Sequence, residues 1–324
     1  MGFLYSQLFV TPKYPTRSFT GETCIVTGSN VGLGKECARH LARLGAAKII
    51  LAVRNTSAGE QARQDIVKTT KVDPSVVEVW ELDLGDYSSV KAFAKRCESL
   101  DRIDAVIENA GIAAIDFKLV EGHESTVTVN VVSTFLLALL LLPKLKEVSR
   151  KFNITPRLTI VSSEVHGFSG IAEQIKDADS IFPMIDDPKK SDMSKRYPLS
   201  KLLEVLVVRE IAPKINSGQV TLNMLNPGLC HSSLTRDVSG FQLLTYTLMK
   251  AILARTTEVG SRTLVAAASV GEESHGRYMH DGMVNEGEVS AFAKSDEGRK
   301  VGQKVWAELA DILEKIEPGV TQNI

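Results

Sequence analysis

Residues 23–34 have the sequence TCIVTGSNVGLG, which joins a β-rich run at residues 23–27 to a segment of helical spacing at residues 35–44. Glycines let the backbone turn sharply and approach a pyrophosphate, whose charge the free N–H groups at a helix start can meet. The spacing Gly-x3-Gly-x-Gly departs from the more familiar Gly-x-Gly-x2-Gly, and a glycine-rich turn is often only a turn. The stretch therefore predicts a strand–turn–helix unit and a candidate dinucleotide site that other residues must support.

The same alternation of β-rich runs and helical segments continues along the chain. The β-rich runs are residues 23–27, 48–53, 76–82, 105–107, 158–161 and 220–225. The clearest helical segments are residues 35–44, 88–99 and 199–211. Strand, helix and strand at this pace predict a parallel sheet with right-handed crossovers. We therefore expect an α/β fold with a doubly wound, Rossmann-like parallel sheet in three layers.

Two stretches are longer than this alternation needs. Residues 164–196 and 229–256 leave the carboxyl ends of strands, where ligands bind in open α/β sheets. Long loops in such places are usually lids or binding loops, so we expect an insertion and a substrate-loop region. Residues 1–20 show no periodic pattern, which predicts a surface arm before a single domain at residues 21–324.

Composition points to a small-molecule partner. The 324 residues carry a formal net charge of −1 without blocks of like charge, so electrostatics favours neither nucleic acid nor an anionic membrane. The cysteines lack the paired spacing of a metal site or redox dithiol, and no secretory signal precedes them. We expect no metal and a cytoplasmic location. The cysteines are Cys24, Cys37, Cys97 and Cys230.

The most apolar stretch is residues 127–142, interrupted by Asn130 and Ser133. Ended by Pro143, it falls short of the ~20 residues that span a bilayer, so we expect a buried helix and no transmembrane segment. A second apolar run, residues 241–254, is also too short, although such a loop can touch a membrane surface.

The end of the second strand bears on the choice of cofactor. An NAD-binding site usually places an acidic residue there to hold the ribose 2′-hydroxyl, and residues 51–55 contain none. Arg54 instead offers a charge-assisted donor for a 2′-phosphate. This favours NADP(H) over NAD(H), unless Arg54 only faces water. The third and fourth strand ends supply further predicted cofactor contacts: Asp83, Leu84, Asn109, Ala110 and Gly111.

Tyr197 and Lys201 carry the predicted chemistry. Residues four apart on a helix have Cβ atoms ~5–6 Å apart on one face, so phenol and ammonium can act on a common site. Lowering a tyrosine pKa from ~10 by ~3 units requires ~4 kcal/mol. A cation ~5 Å away supplies ~3 kcal/mol at an effective dielectric of ~20, and the positive nicotinamide ring can supply the remainder. Such a pair can also be merely an exposed helical face.

Three further features support a catalytic role for Tyr197 and Lys201. Ser163 follows a strand and can hold a substrate oxygen, or be a plain strand end. Asn130 lies in an otherwise apolar helix, where an unpaired amide costs ~1–3 kcal/mol, so it serves the site or bonds helix to helix. Pro227 and Gly228 end the sixth strand in a turn toward the nicotinamide, or simply in a turn.

In this combination the chain resembles the short-chain dehydrogenase/reductase family over nearly all of residues 20–290. The shared motifs are TGxxxGxG at 27–34, Asp83, NAG at 109–111, Asn130, Ser163, YxxxK at 197–201 and PG at 227–228. The resemblance implies that Tyr197 is the general acid or base and that Ser163 orients the substrate oxygen. It also implies that Lys201 lowers the tyrosine pKa and binds the ribose, while Asn130 positions a water that links Lys201 to solvent.

The resemblance also completes the set of expected cofactor contacts. They are Thr27, Gly28, Ser29, Asn30, Gly32, Leu33, Gly34, Arg54, Asp83, Leu84, Asn109, Ala110, Gly111, Tyr197, Lys201, Pro227, Gly228 and Ser232. Ser232 stands where a threonine is frequent and keeps its hydroxyl. Ser133 and Glu108 also depart from the family's usual residues, and the sequence gives no reason for Glu108. His166 stays outside the catalytic set because a loop histidine is usually solvated.

Within the family, AVRN at residues 52–55, VSSxxH at residues 161–166 and the insertion that follows resemble the retinol-dehydrogenase-like branch. The whole chain is also similar to fungal oxidoreductases of that branch, several of which serve secondary metabolism. This implies a bulky apolar ketone or secondary alcohol as substrate, of polyketide, terpenoid, steroid or retinoid type. Family members often pair through the helix of Asn130 and the helix after Tyr197, which implies a homodimer or homotetramer.

The sequence therefore predicts an NADP(H)-dependent oxidoreductase that moves a hydride between the nicotinamide and a ketone or secondary alcohol. One alternative is a non-catalytic dinucleotide-binding sensor or scaffold of the same fold. Another is a methyltransferase that binds S-adenosylmethionine on a similar sheet. Neither alternative needs Ser163, Tyr197 and Lys201 together.

Overall fold

The computed structural model describes residues 2–231, 250 and 252–324, and its centre is an eight-stranded sheet. The strands in chain order are β1 (Thr23–Thr27), β2 (Lys48–Val53), β3 (Val77–Glu81), β4 (Ala105–Glu108), β5 (Leu119–Val120), β6 (His123–Glu124), β7 (Arg157–Val161), β8 (Thr221–Asn226), β9 (Tyr278–His280) and β10 (Met283–Val284). The sheet order is β10-β9-β8-β7-β4-β1-β2-β3, while β5 and β6 form a separate hairpin. Neighbours in the large sheet pair in parallel except β9 and β10.

Helices cover both faces of this sheet. Those in the described residues are α1 (Phe3–Phe9), α2 (Gly32–Arg43), α3 (Thr56–Thr70), α4 (Tyr87–Cys97), α5 (Ser125–Val127), α6 (Thr134–Phe152), α7 (Ile181–Ile185), α8 (Met193–Ile211), α9 (Thr257–Ala267), α10 (Ala291–Lys294) and α11 (Asp296–Ile316). The apolar sides of α4, α6, α8 and α11 form a buried cluster on one face. Those of α2, α3 and α9 form a second cluster on the other face. The predicted three-layer, doubly wound sheet is confirmed.

The predicted strand positions agree closely with the structure, whereas some other boundaries do not. β1 and β2 occupy the predicted residues, but β9 and β10 were not predicted because each is too short to show a period. α8 begins at Met193, before the expected start near Tyr197, because the Asp192 carboxylate caps it by accepting from the Ser194 amide at 3.1 Å. The insertion at residues 164–196 therefore also contains α7 and the first turn of α8.

The apolar stretch around Asn130 forms part of one long helical segment. α5, a π-helical turn at Thr128–Ser133, and α6 follow one another, and the helix continues beyond Pro143, where the apolar stretch ends. Pro143 costs one backbone hydrogen bond, but Leu145 and Val148 beyond it are buried in the core. By length and composition this segment could cross a membrane, yet 89% of its apolar window is buried inside the protein. It is the buried core helix that we expected.

The helices expected to offer faces for oligomerisation are largely covered. α8 is buried from Leu199 to Val208 on all sides, and α11 packs along it through Val301, Val305 and Leu309. The end of the chain also reaches α6, where the Asn323 side-chain amide donates to the Leu139 carbonyl at 3.1 Å. The expectation of an exposed face on α8 was therefore wrong, because the C-terminal helix occupies it.

The N-terminal arm contains the unpredicted helix α1, which is anchored by Arg255. The Arg255 guanidinium lies 2.6 Å from Asp281 Oδ1 and donates to the carbonyls of Ser6 and Val10 at 2.9 and 3.0 Å. From the same helix, the Gln7 side chain donates to the Leu229 carbonyl at 3.3 Å. α1 therefore braces the loop that follows β8.

Arg255→Ala should destabilise the protein by about 3–5 kcal/mol, because it leaves the buried Asp281 carboxylate without its partner. Urea unfolding measures the loss. Arg299→Ala is the control, because its ion pair with Asp296 is exposed and should contribute at most about 1 kcal/mol. The double variant Arg255→Ala/Asp281→Ala should cost less than the sum of its single variants, and additive losses would contradict the direct coupling.

Candidate active site

A cleft of about 840 Å³ opens at the carboxyl ends of the parallel strands. The turns after β1, β2, β3, β4, β7 and β8 line it together with α8, as expected for an open α/β sheet. It brings together most of the predicted site residues, namely Gly28, Asn30, Gly32, Leu33, Arg54, Asp83, Leu84, Asn109, Ala110, Gly111, Ser163, Tyr197, Lys201, Pro227 and Gly228.

Some predicted site residues lie behind the cleft wall. The Thr27 hydroxyl is buried and accepts from the amides of Asn109 and Ala110 at 2.9 and 2.8 Å. The Ser29 hydroxyl donates to the Val26 carbonyl at 2.7 Å. Thr27 and Ser29 thus hold the glycine turn from behind. Gly34 and Asn130 also lie behind the wall, and Ser232 is outside the described residues.

Two glycines make the turn after β1 possible. Gly28 has φ +63°, and a Cβ there would lie 2.9 Å from the Ala110 Cα. A Cβ on Gly34 would lie 2.8 Å from the Gly28 carbonyl oxygen and 2.6 Å from the Asn109 side-chain nitrogen. The start of α2 therefore packs directly on the turn, and its first residues, Gly32 and Leu33, line the cleft. The N–H groups at a helix start are the usual partners of a dinucleotide phosphate.

The far end of the cleft carries a positive charge. Arg54 follows β2, is exposed and lines the cleft, while the Asn55 side chain caps α3 by accepting from the Ala58 amide at 2.9 Å. Asp83 Oδ1 accepts from the Gly85 amide at 2.8 Å, which fixes the turn after β3. Arg54 therefore stands at the strand end where the sequence predicted it.

Tyr197 and Lys201 meet on one face of α8, as predicted. The Lys201 Nζ lies 5.6 Å from the centroid of the Tyr197 ring and donates to the Val161 carbonyl at 2.9 Å. Both residues line the cleft, although Lys201 is only 5% exposed. The bond to β7 holds the ammonium next to the phenol.

Asn130 occupies the π-helical turn and has all its amide groups engaged. Its Oδ1 accepts from the Ile112 amide at 2.9 Å, and its Nδ2 donates to the Ile112 carbonyl at 2.9 Å and to Ser200 Oγ at 3.0 Å. A local π-turn is common at functional sites because it redirects a side chain. Asn130 thus ties the loop after β4 to α8 and bonds helix to helix, which was the alternative interpretation.

The turn after Ser163 is held by His166, which the sequence analysis expected to be solvated. His166 is 2% exposed; its Nδ1 donates to the Ser163 carbonyl at 2.7 Å, and its Nε2 accepts from the Ser290 amide at 3.0 Å. These bonds define the neutral tautomer, and burial lowers the pKa of His166. The expectation of a solvated residue was wrong because residues near Ser290 fold over this loop.

Two acidic residues at the site were not identified from sequence. Glu164 lines the cleft beside Ser163, and burial raises its pKa to about 7 against the opposing charge of Arg255. Glu204 lies 2.7 Å from Lys201 Nζ. A charged residue inside the apolar run 202–208 was the available signal for Glu204, since burying an unpaired charge is costly.

Known proteins agree with this geometry. A family model described as short chain dehydrogenase matches residues 22–163. The chain is 49% identical over all of its length to short chain dehydrogenase/reductase dmxR8 of Cryptosporiopsis sp. (strain 8999), all of which is covered. The chain is a short-chain dehydrogenase/reductase. It is also 44% identical, over 99% of its length and 84% of the relative, to short-chain dehydrogenase anuD of Penicillium roqueforti (strain FM164).

Solved structures share the fold of this dehydrogenase/reductase. NADPH-bound carbonyl reductase from chicken fatty liver has a TM-score of 0.60 at 18% identity, covering 83% of this chain and 99% of that one. Membership of the family and the similarity to fungal members are thus confirmed, and the methyltransferase alternative is excluded. The chain belongs to an oxidoreductase family whose chemistry is NAD(P)-dependent hydride transfer.

His166 should make this dehydrogenase/reductase less stable in mild acid. Its pKa is lowered in the fold, so below about pH 6.5 the unfolded chain takes up a proton that the folded chain excludes, and stability falls. In His166→Gln, the free energy of unfolding should fall less steeply between about pH 7 and pH 5. The change in slope should correspond to at most one proton fewer taken up on unfolding. Denaturant melts at several pH values measure this slope.

The control for that experiment is His231→Gln, which removes an exposed histidine. Glu164 and Glu204 have raised pKa values, so their protonation favours the folded state in acid. Their effect on the pH dependence of stability is the same in every variant and cancels in the comparison. An unchanged slope in His166→Gln would contradict a buried neutral His166.

Proposed function

We propose that this short-chain dehydrogenase/reductase is NADP(H)-dependent and interconverts a bulky apolar ketone and its secondary alcohol, with Tyr197 as acid and base. The observation that carries the proposal is the convergence of Ser163, Tyr197 and Lys201 on one cleft that also contains the glycine turn. A dinucleotide bound along this cleft supplies or accepts the hydride.

Each residue has a separate task in this proposal. In reduction, Tyr197 donates a proton to the carbonyl oxygen, and the Ser163 hydroxyl orients that oxygen. Lys201, held by the Val161 carbonyl at 2.9 Å, favours the phenolate that remains. Asn130 joins the loop after β4 to α8 through its hydrogen bonds to Ile112 and Ser200. We propose that it also positions a water that connects Lys201 to solvent.

The preference for NADP(H) rests on Arg54. The end of β2 offers a guanidinium and no carboxylate, so a 2′-phosphate gains a charge-assisted hydrogen bond and a bare ribose gains no acidic partner. Asp83 and Leu84 face the same end of the cleft and are assigned to the adenine.

The substrate class follows from the opposite end of the cleft. The apolar side chains of Val129, Val165 and Leu229 form part of the cleft lining. We therefore propose a polyketide-, terpenoid-, steroid- or retinoid-like substrate whose apolar body is buried there. Part of the predicted loop at residues 229–256 lies outside the described residues. A homodimer or homotetramer, the single domain and a cytoplasmic location stay predictions.

A non-catalytic sensor of the same fold is the remaining alternative. Such a protein needs the glycine turn and Arg54 but gains nothing from a tyrosine and a lysine held on one face of α8. The two experiments below separate it from an enzyme, because the first tests cofactor binding and the second tests turnover.

Arg54→Ala should weaken NADPH binding about 10- to 100-fold, because a hydrogen bond between charged groups contributes about 1.5–3 kcal/mol. NADH affinity should hardly change. Fluorescence titration of both cofactors measures this, with Arg63→Ala as control because Arg63 lies on α3 outside the cleft lining and pairs with Glu60. Equal affinity of the unaltered protein for NADPH and NADH would reject the proposed role of Arg54.

Tyr197→Phe should lower kcat for NADPH-dependent reduction of a bulky apolar ketone by about 10²- to 10⁴-fold while NADPH still binds. Steady-state rates over a panel of aromatic and polycyclic ketones test this. Tyr14→Phe is the matched control, since Tyr14 is 50% exposed and lies outside the cleft lining. Unchanged turnover in Tyr197→Phe would remove Tyr197 from the mechanism, and no turnover of any ketone by the unaltered protein would favour the sensor.

A further inference from the structure

Lys201 has a buried carboxylate as its neighbour. Its Nζ lies 2.7 Å from Glu204 Oε1, and the two side chains are 6% and 2% exposed. The same nitrogen donates to the Val161 carbonyl at 2.9 Å, so the ammonium lies between β7 and the next turn of α8. A carboxylate this close offsets part of the charge that Lys201 exerts on Tyr197.

Glu108 is a second buried carboxyl on the same side of the sheet. Glu108 is the last residue of β4. Because alternate residues of a strand lie on the same face, Glu108 is on the face of Val106, which packs in the same buried cluster as α8. Glu108 is 4% exposed, and within the described residues neither of its carboxyl oxygens has a hydrogen-bond partner. Glu204 Oε2 is likewise unpartnered there. Two buried carboxylates cannot both stay ionised at low cost, so this arrangement calls for a proton on one of them.

The charges around Glu204 decide which carboxyl holds that proton. Burial raises the pKa of Glu204 to about 7, with the Lys201 ammonium and the Ser162 hydroxyl acting in the opposite direction. Burial, reinforced by the charge of Glu204, raises the pKa of Glu108 well above its usual range. Tyr278 is the other titratable neighbour; burial raises the pKa of its phenol, and the charge of Glu204 adds to this effect. The ammonium 2.7 Å away favours the negative charge on Glu204, whereas Glu108 has no cationic or hydrogen-bonding partner among the described residues, so the arrangement favours the proton on Glu108.

We infer that Glu204 is a positioning residue for Lys201, that its buried neighbour Glu108 stays protonated, and that this acidic pair sets how strongly Lys201 acts on Tyr197. The inference rests on the proposed roles of Tyr197 and Lys201. It explains why an acidic residue stands at Glu108, for which the sequence alone gave no reason.

The pair favours the protonated form of Tyr197, which is the form that acts in reduction. Above about pH 7 the ionised Glu204 offsets the lysine charge, so Tyr197 loses its proton only at a higher pH than Lys201 alone would impose. A protonated Tyr197 is the acid that ketone reduction needs, whereas alcohol oxidation needs the phenolate. Removing the Glu204 charge should therefore make the phenolate easier to form.

Titration of Tyr197 tests this inference without any substrate. The full chain is labelled with ¹³Cζ-tyrosine, and the Tyr197 resonance is identified by its loss in Tyr197→Phe. Glu204→Gln should lower the pH midpoint of Tyr197 ionisation by about one unit, as expected for removal of one charge ~10 Å away at an effective dielectric of ~20. Glu108→Gln should not lower it, because replacing a protonated carboxyl by a neutral amide leaves the Glu204 carboxylate ionised.

Glu22→Gln is the matched control for loss of a buried ion pair. Glu22 lies 2.9 Å from Arg157 Nη2 at the amino end of β1, with side-chain exposures of 11% and 10%, and it lines no part of the cleft. It should lower thermal stability without moving the Tyr197 midpoint. A midpoint in Glu204→Gln equal to that of the unaltered protein would overturn the inference.

Infrared spectroscopy provides a second measurement if Glu204→Gln does not fold. The difference between the neutral-pH spectra of the unaltered protein and Glu108→Gln should contain the carbonyl stretch of one buried protonated carboxyl, because the contribution of Glu164 is the same in both proteins. A difference spectrum without that band would overturn the assignment of the proton to Glu108. Both readouts are independent of turnover, so an enzyme without ketone reductase activity would refute the proposed function while these results still decide the inference.

Discussion

The hydrogen bonds of the Thr27 hydroxyl hold the site together. By accepting from the amides of Asn109 and Ala110, Thr27 ties the carboxyl end of β1 to that of β4. Because Gly34 leaves no room for a Cβ against Asn109, the start of α2 is fixed on the same junction. The glycine turn and the loop that carries Gly111 therefore cannot move independently. Both sides of the cleft depend on this junction of two strand ends.

A second set of buried polar contacts fixes the part of the cleft that contains Tyr197 and Lys201. Asn130 bonds both backbone groups of Ile112 and the Ser200 hydroxyl, so the loop after β4 is connected to α8 within one turn of Lys201. Such groups are costly to bury unless every partner is in place. Residues to which we assign the chemistry are therefore also held in place by buried hydrogen bonds.

The two ends of the chain extend the common fold in different ways. The N-terminal helix α1 braces the loop after β8 through Gln7 and Arg255. The C-terminal helix α11 covers α8, and the sheet lies on the other side of α8. α8 is thereby enclosed along Leu199 to Val208, and its buried Glu204 is shielded from water. This enclosure is what gives a carboxyl in the middle of a helix an influence on a neighbouring lysine.

The sequence by itself determined the positions of most strands along the chain, the glycine turn and the pairing of Tyr197 with Lys201, because each depends on local period or spacing within a few residues. It also placed Arg54 at a strand end. It could not show that the helix passes through Pro143, that His166 is buried beneath Ser290, or that Glu108 and Glu204 lie on the same side of the sheet. Those facts depend on contacts between residues far apart in the chain. Burial and hydrogen-bond partners, which decide where a charge or proton can reside, exist only after the layers have packed.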